Sequence, residues 1–221
     1  FIQMKILLNN NDLNEALNNV SKLGFVPTMG GLHQGHISLI KRSKNECKKT
    51  IVSIFVNPKQ FNNKKDYIKY PRNIKKDLSI LKKLNVNFVF IPKKKDIYNF
   101  DRKITIAKKD QILCAKYRKG HFEGVIDVMD RLTKMIKPKK IYMGEKDYQQ
   151  LYLIRKFLSK KFNVRINSCP TIRNHNKVAL STRNKLLNKS SIKKASKIAI
   201  KLDKLKRLSQ KNKSVDLSKF K

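Results

Sequence analysis

Cysteine is scarce: Cys47, Cys114 and Cys169 are the only three in 221 residues. They are far apart, odd in number and in no metal-ligand spacing, which argues against a disulfide framework and for buried thiols in a reducing compartment. Long apolar runs are also missing. No stretch approaches the roughly 18 consecutive apolar residues of a membrane span, and residues 1–20 lack a charged start followed by an apolar signal core. A cytoplasmic protein without a membrane partner is expected. No internal repeat is found. Negative charge is in short supply as well, with 15 acidic against 53 basic residues and a net charge of +38. A balance of that size would ordinarily point to a polyanionic partner. Here the lysines occupy the polar positions of nearly every amphipathic segment from Lys41 to Lys221, interleaved with asparagines, and form no single patch. The charge therefore reads as solvated faces, with no specific nucleic-acid partner.

What is present is a folding pattern. Hydrophobic residues make up 40% of the chain and fall in periodic runs, enough to bury a full core in one large domain, or in one domain and a smaller companion. The most informative stretch is Gly24-Phe25-Val26-Pro27-Thr28-Met29-Gly30-Gly31-Leu32-His33-Gln34-Gly35-His36, followed by Ile37-Ser38-Leu39-Ile40. An apolar run, a glycine-rich turn and a helical period read as strand, turn and helix N-terminus, with the helix from about His36 to Cys47. Glycines let the backbone approach an anion, and the first helical N–H groups lack intrahelical partners. The turn is thus a candidate phosphate site with His33 and His36 as donors.

The remaining pattern alternates strand and helix. Asp12 is placed to cap a short helix carrying Leu13, Ala16, Leu17 and Val20. Strands are expected at Thr50–Val56, whose continuous β-branched and aromatic run marks burial on both faces, and at Val86–Ile91, Lys140–Met143 and Asn163–Ser168. A weak strand is expected at 104–107, a short helix at 110–117 and a short strand at 178–180. Helices are expected from Ile74 to Leu84, from Val125 to Ile136, from Leu151 to Leu158, and from Ser190 to about Leu208 before a lysine-rich tail. Recurring strand-to-helix turns of polar, glycine-containing sequence predict a doubly wound parallel α/β (Rossmann-like) domain. In such a sheet ligands lie beyond the carboxyl ends of the strands, which brings Asn57 and Gln60 forward as substrate contacts.

The His33-Gln34-Gly35-His36 element resembles the signature of the H-x-G-H nucleotidyltransferase superfamily. With its Val26-Pro27-Thr28-Met29-Gly30 flank it resembles one family in particular, pantothenate synthetase (pantoate beta-alanine ligase). Five further blocks follow in that family's order: Ser53–Phe61, Tyr70-Pro71-Arg72, Gly120–Val125, Gly144–Gln150 and Leu180-Ser181-Thr182-Arg183-Asn184. The resemblance covers about residues 23–187. It implies a domain over 1–175 that binds pantoate and ATP, with the start of a smaller C-terminal lid domain over 176–221. It also implies ATP-dependent condensation of pantoate with beta-alanine through a pantoyl adenylate, with Mg2+ accompanying ATP, in a homodimer.

By the same resemblance, His33, His36, Lys146, Ser181, Thr182 and Arg183 are the candidate catalytic residues. Gln60, Gln150 and Asn57 would bind pantoate. ATP would lie against Pro27, Thr28, Met29, Gly30, Gly35, His36, Gly144, Glu145, Lys146, Asp147, Leu180, Ser181, Thr182 and Arg183. Asp77 would be linked to magnesium, although an aspartate inside a helix beside Lys75 and Lys76 reads more readily as an exposed ion-pair partner. The reaction builds negative charge on phosphate oxygens, for which histidine, lysine and arginine donors are chemically apt. Amides suit a substrate with a carboxylate and hydroxyls, because they both donate and accept.

The sequence departs from the family pattern at Gly31, where alanine is usual, at Gln34, where glutamate is usual, and at Leu180 and Thr182, where methionine and a second serine are usual. Family members continue past the equivalent of Lys221 through a small sheet that covers the ATP site. On the sequence alone this predicts folded binding of pantoate with weakened ATP affinity or turnover. The competing readings are another H-x-G-H nucleotidyltransferase, which the paired Gln60 and Gln150 blocks oppose, and a degenerate basic nucleic-acid-binding protein on the same scaffold.

Overall fold

The computed structural model describes residues 3–211. Six short strands form one parallel sheet: β1 (Lys5–Leu7), β2 (Leu23–Thr28), β3 (Lys49–Ile54), β4 (Phe88–Phe90), β5 (Lys140–Gly144) and β6 (Arg165–Cys169), in the order β1-β4-β3-β2-β5-β6. Between them run α1 (Asn10–Leu17), α2 (Gln34–Glu46), α3 (Lys64–Lys69), α4 (Ile74–Lys83), α5 (Lys94–Ile97), α6 (Cys114–Tyr117), α7 (His121–Ile136) and α8 (Tyr148–Phe162), and α9 (Lys189–Lys211) follows the sheet.

Successive strand side chains point to opposite faces, and both faces are covered. On one, Phe25, Ile51, Phe90 and Ile141 pack with Leu13 of α1, Val125, Met129 and Leu132 of α7, and Leu151, Ile154 and Leu158 of α8. On the other, Val26, Val52, Val89 and Tyr142 pack with Leu39 and Ile40 of α2 and Leu81 of α4. Strands buried on both faces cannot alternate polar and apolar residues, which explains the uninterrupted runs. The doubly wound α/β architecture is the one the sequence predicts.

The strand order reverses between β2 and β5. From β2 the chain adds β3 and β4 on one side, then returns to lay β5 and β6 on the other. Thr28 accepts from the Phe55 N–H through its carbonyl, so it bonds toward β3, and its neighbour Pro27 faces β5 with no N–H to donate. Pairing between β2 and β5 accordingly covers only Gly24 with Lys140 and Phe25 with Ile141. Beyond that point the strands part, and a crevice opens at their carboxyl ends, where ligands bind in sheets of this kind.

Several expected boundaries shift. Helix α2 begins at Gln34 because His33 is its N-cap. Asn9, not Asp12, caps α1: its side chain accepts from the Asp12 N–H, while Asp12 accepts from the Leu8 N–H. The edge strand β1 is too short to give a period. No strand forms at 104–107, and the region expected as a helix over 110–117 is a single turn at Lys108–Asp110 followed by the four-residue α6. The Gln149 amide shapes that loop by donating to the carbonyls of Asp110 and Ile112. In place of a strand at 178–180 there is one antiparallel bridge, Arg173 to Ala179. The lysine-rich tail beyond α9, and with it the end of the expected lid domain, lies outside the described residues.

Candidate functional site

The turn after β2 is tied down before any ligand arrives. The Thr28 hydroxyl donates to the Ser53 carbonyl at 2.7 Å and accepts from the Gly30 N–H at 3.1 Å. Gly30 and Gly31 adopt φ of +77° and +62°, a region that costs residues with a Cβ about 1 kcal/mol or more. Beyond the turn, His33 Nδ1 accepts from the Gly35 N–H at 3.0 Å and His36 Nδ1 accepts from the His33 N–H at 3.3 Å. A neutral imidazole has one donor and one acceptor nitrogen. Both Nδ1 atoms are acceptors, so the proton each ring can offer a ligand is on Nε2.

The charge state agrees with that tautomer. Burial lowers the His36 pKa to about 3, with His33 and Lys146 adding to the effect. Burial, then Lys146 and Lys185, lower that of His33. At neutral pH the two rings, 4.1 Å apart between centroids, are uncharged donors at the positive end of α2. Cationic charge comes from across the crevice: Lys146, in the helical turn Glu145–Asp147 after β5, has its ammonium 3.6 Å from Asp147.

A third side comes from the chain after β6. Ser181 caps the turn Thr182–Leu186, its Oγ accepting from the Arg183 N–H at 3.3 Å. Thr182 is 5% exposed and its hydroxyl donates to the Gly31 carbonyl at 3.1 Å. A Cβ at Gly31 would overlap the Thr182 γ-methyl. Arg183 grips Asp66 of α3 with two bonds of 3.1 and 2.8 Å and lies over the Tyr70 ring. Thr182 and Arg183 thus act here as contacts that dock this segment onto the turn and onto α3.

Gln60 is in the turn Pro58–Gln60 after β3. Asn57 is 1% exposed, and its side-chain nitrogen donates to the Gly124 carbonyl at 3.0 Å and to Gln60 Oε1 at 3.1 Å. The Gln60 carbonyl lies 2.6 Å from His121 Nδ1. Asn57, expected as a pantoate ligand, has both ends of its amide engaged within the protein and buttresses Gln60. Gln60 and Gln150 both line the cleft, together with the apolar side chains Val125, Val128, Met129 and Leu132 of α7.

One expectation is overturned. Asp77 is 2% exposed, and its two oxygens each accept a backbone N–H at 2.8 Å, from Gly31 and Leu32. It is not the exposed ion-pair partner that its lysine neighbours suggested: it holds the glycine turn from behind. Among the described residues no three His, Cys, Asp or Glu side chains converge as a metal site.

Three comparisons bear on this arrangement. The family model of pantoate-beta-alanine ligase matches residues 5–220. The chain belongs to the pantoate-beta-alanine ligase family. A pantothenate synthetase of Francisella tularensis subsp. novicida strain U112 is 48% identical over 181 residues, 80% of this chain and 69% of the relative. Among solved structures, the ligase from Francisella tularensis complexed with beta-gamma ATP and beta-alanine superposes with a TM-score of 0.86 at 44% identity, covering 89% of this chain and 78% of that one. Pantothenate synthetase from Thermus thermophilus gives a TM-score of 0.89 at 34% identity, covering 94% and 76%.

Of the residues the family resemblance brought forward, Pro27, Thr28, Met29, His33, Gly35, His36, Asn57, Gln60, Gly144, Lys146, Asp147, Gln150, Leu180, Ser181, Thr182 and Arg183 line this one cleft. Gly30, Glu145 and Asp77 do not line it. Ser53, Tyr70 and the α7 wall also line the cleft and were not singled out. Ser53 Oγ is buried without a hydrogen-bond partner among the described residues. The α7 side chains read as ordinary core because one helical stripe serves both purposes. Among the described residues no helix is long and apolar enough to cross a membrane.

Proposed function

We propose that this chain condenses pantoate with beta-alanine in an ATP-dependent reaction that passes through a pantoyl adenylate and releases pyrophosphate and then AMP. The observation that carries the proposal is one cleft at the strand-order switch whose lining brings together two neutral histidine donors, Lys146, Gln60 and Gln150. The Nε2 protons of His33 and His36 would meet the phosphate oxygens that gain charge as the pantoate carboxylate attacks the α-phosphorus, and Lys146 would balance the leaving pyrophosphate. Gln60 and Gln150 would hold pantoate, and Asp147 would contact the ribose. Backbone near Gly144, Glu145 and Leu180 would flank the nucleotide. Ser181, Thr182 and Arg183 would close the phosphate end, Arg183 exchanging or sharing its partner Asp66. ATP would enter as its magnesium complex, with the metal carried on the phosphates. The second step needs only that the amine of beta-alanine reach the activated acyl group in a site that excludes water.

Three free cysteines and the use of ATP support a cytoplasmic location, and the family resemblance supports a homodimer, which sedimentation would test. The direct experiment is AMP formation by the purified chain with ATP, Mg2+ and pantoate, with and without beta-alanine, beside a His36→Ala control. AMP that requires both substrates and disappears in the control is the expected result. No pantoate-dependent product would refute the proposal.

A further inference from the structure

We infer that Tyr98, a residue outside the cleft, is a positioning residue for pantoate: through Asn57 it holds the Gln60 amide so that Gln60 meets its ligand only as a hydrogen-bond donor. The inference rests on the ligase reading. It follows from which atoms can donate and which can only accept. The Lys59 backbone N–H reaches one end of the Asn57 amide at 3.2 Å. A backbone N–H only donates, so that end is Oδ1. The other end lies 3.0 Å from the Gly124 carbonyl, which only accepts, so it is Nδ2. The second hydrogen of Nδ2 goes to Gln60 at 3.1 Å and must find its Oε1 there. The Gln60 amide is therefore oriented by a chain of one-way contacts. Its Nε2 is turned the other way and has, among the described residues, only the Met29 sulfur, a weak acceptor, at 3.1 Å.

Tyr98 anchors this chain. Its hydroxyl donates to Asn57 Oδ1 at 2.7 Å, the shortest of the bonds that Asn57 makes. The ring is gripped by the Lys59 ammonium at 4.3 Å and the Arg131 guanidinium at 5.0 Å from its centroid. Arg131 is fixed in turn by Asp127 at 2.7 Å. Meanwhile His121 holds the Gln60 backbone, and a Cβ at Gly124 would overlap the Lys59 carbonyl, so α7 presses directly on the turn. A ligand that supplies acceptors, such as a carboxylate or hydroxyl oxygen, satisfies the two Nε2 hydrogens. One that presents only donors there does not.

The test is Tyr98→Phe, with steady-state kinetics for each substrate in turn. The KM for pantoate is expected to rise about tenfold, the scale of one misdirected hydrogen bond to a charged group, while kcat and the KM for ATP stay within about twofold of wild type. Asn57→Asp puts an acceptor opposite Gln60 Oε1, forces the amide to turn round, and is expected to raise the pantoate KM at least as far. In a Gln60→Ala background neither substitution should add to the loss. An unchanged pantoate KM in both variants, an equal rise for ATP, or a full effect that persists without the Gln60 amide would overturn the inference. A wild-type chain with no pantoate-dependent AMP formation would overturn the ligase reading itself, and this inference with it.

Discussion

Asp77 shows how a single residue can be misread in sequence while its signal is in plain view. Its neighbours Lys75 and Lys76 suggest a solvated position, yet it stands four residues before Leu81, on the buried stripe of α4. A carboxylate on a buried stripe needs donors, and Gly31 and Leu32 supply them. Asp77→Asn would leave one of those N–H groups facing an amide nitrogen, at a cost of roughly 1–3 kcal/mol. The expected outcome is a lower melting temperature and a higher KM for ATP, with the magnesium concentration for half-maximal rate unchanged. A shifted magnesium requirement as the main effect would return Asp77 to a metal role. The histidines were legible as donors because their spacing at a helix start is a strong local pattern. Their tautomers were not legible, since these depend on which backbone N–H each Nδ1 accepts.

At the scale of elements, the strands and the long helices were readable because buried strands and the α7 stripe carry strong periods. The loops from 93 to 119 were not, since they are held by distant partners such as Gln149. Nor could sequence show that the turn at 181–186 docks through Thr182 on Gly31 and through Arg183 on Asp66. Asp66→Asn removes the charge of a two-bond ion pair and is expected to loosen that turn, raising the KM for ATP severalfold while the KM for pantoate holds. Equal effects on both substrates would show that Asp66 supports the fold in general. The Gly31 contact is the more specific test. Gly31→Ala should be strongly harmful in the wild-type chain and clearly less so with Thr182→Ser, with a coupling on the order of 1 kcal/mol in a thermal-unfolding cycle. Additive effects would mean that the two sites do not sense each other.

For the whole molecule, acid stability follows from groups held in their uncharged or paired forms. Burial lowers the pKa of His33, His36 and His121. Arg42 and Lys140 hold Glu46 down to about 2, and Arg183 lowers Asp66. For every one of these the unfolded chain binds protons at a higher pH than the folded chain does, so stability falls as pH falls. The histidines place the start of the decline just below the ordinary imidazole value of 6.5, at up to roughly 1.4 kcal/mol per pH unit for each ring that stays neutral. The carboxylates take over below about 4.5. Melting temperatures across pH 4–8 should therefore fall first between 6.5 and 5, and His36→Asn should flatten that part of the curve. A curve flat down to pH 4.5 in the wild type would contradict this account.

The contact between Gly31 and Thr182 also constrains history. The family pattern that the sequence resembles has alanine and serine at these two places, where this chain has glycine and threonine. Threonine arriving first would have met a methyl group already in its space. Glycine arriving first would have opened a small gap, costly but passable, which the threonine methyl then filled. The structure thus favours one order of events, and with both residues in place alanine could return at position 31 only after the threonine methyl had been lost.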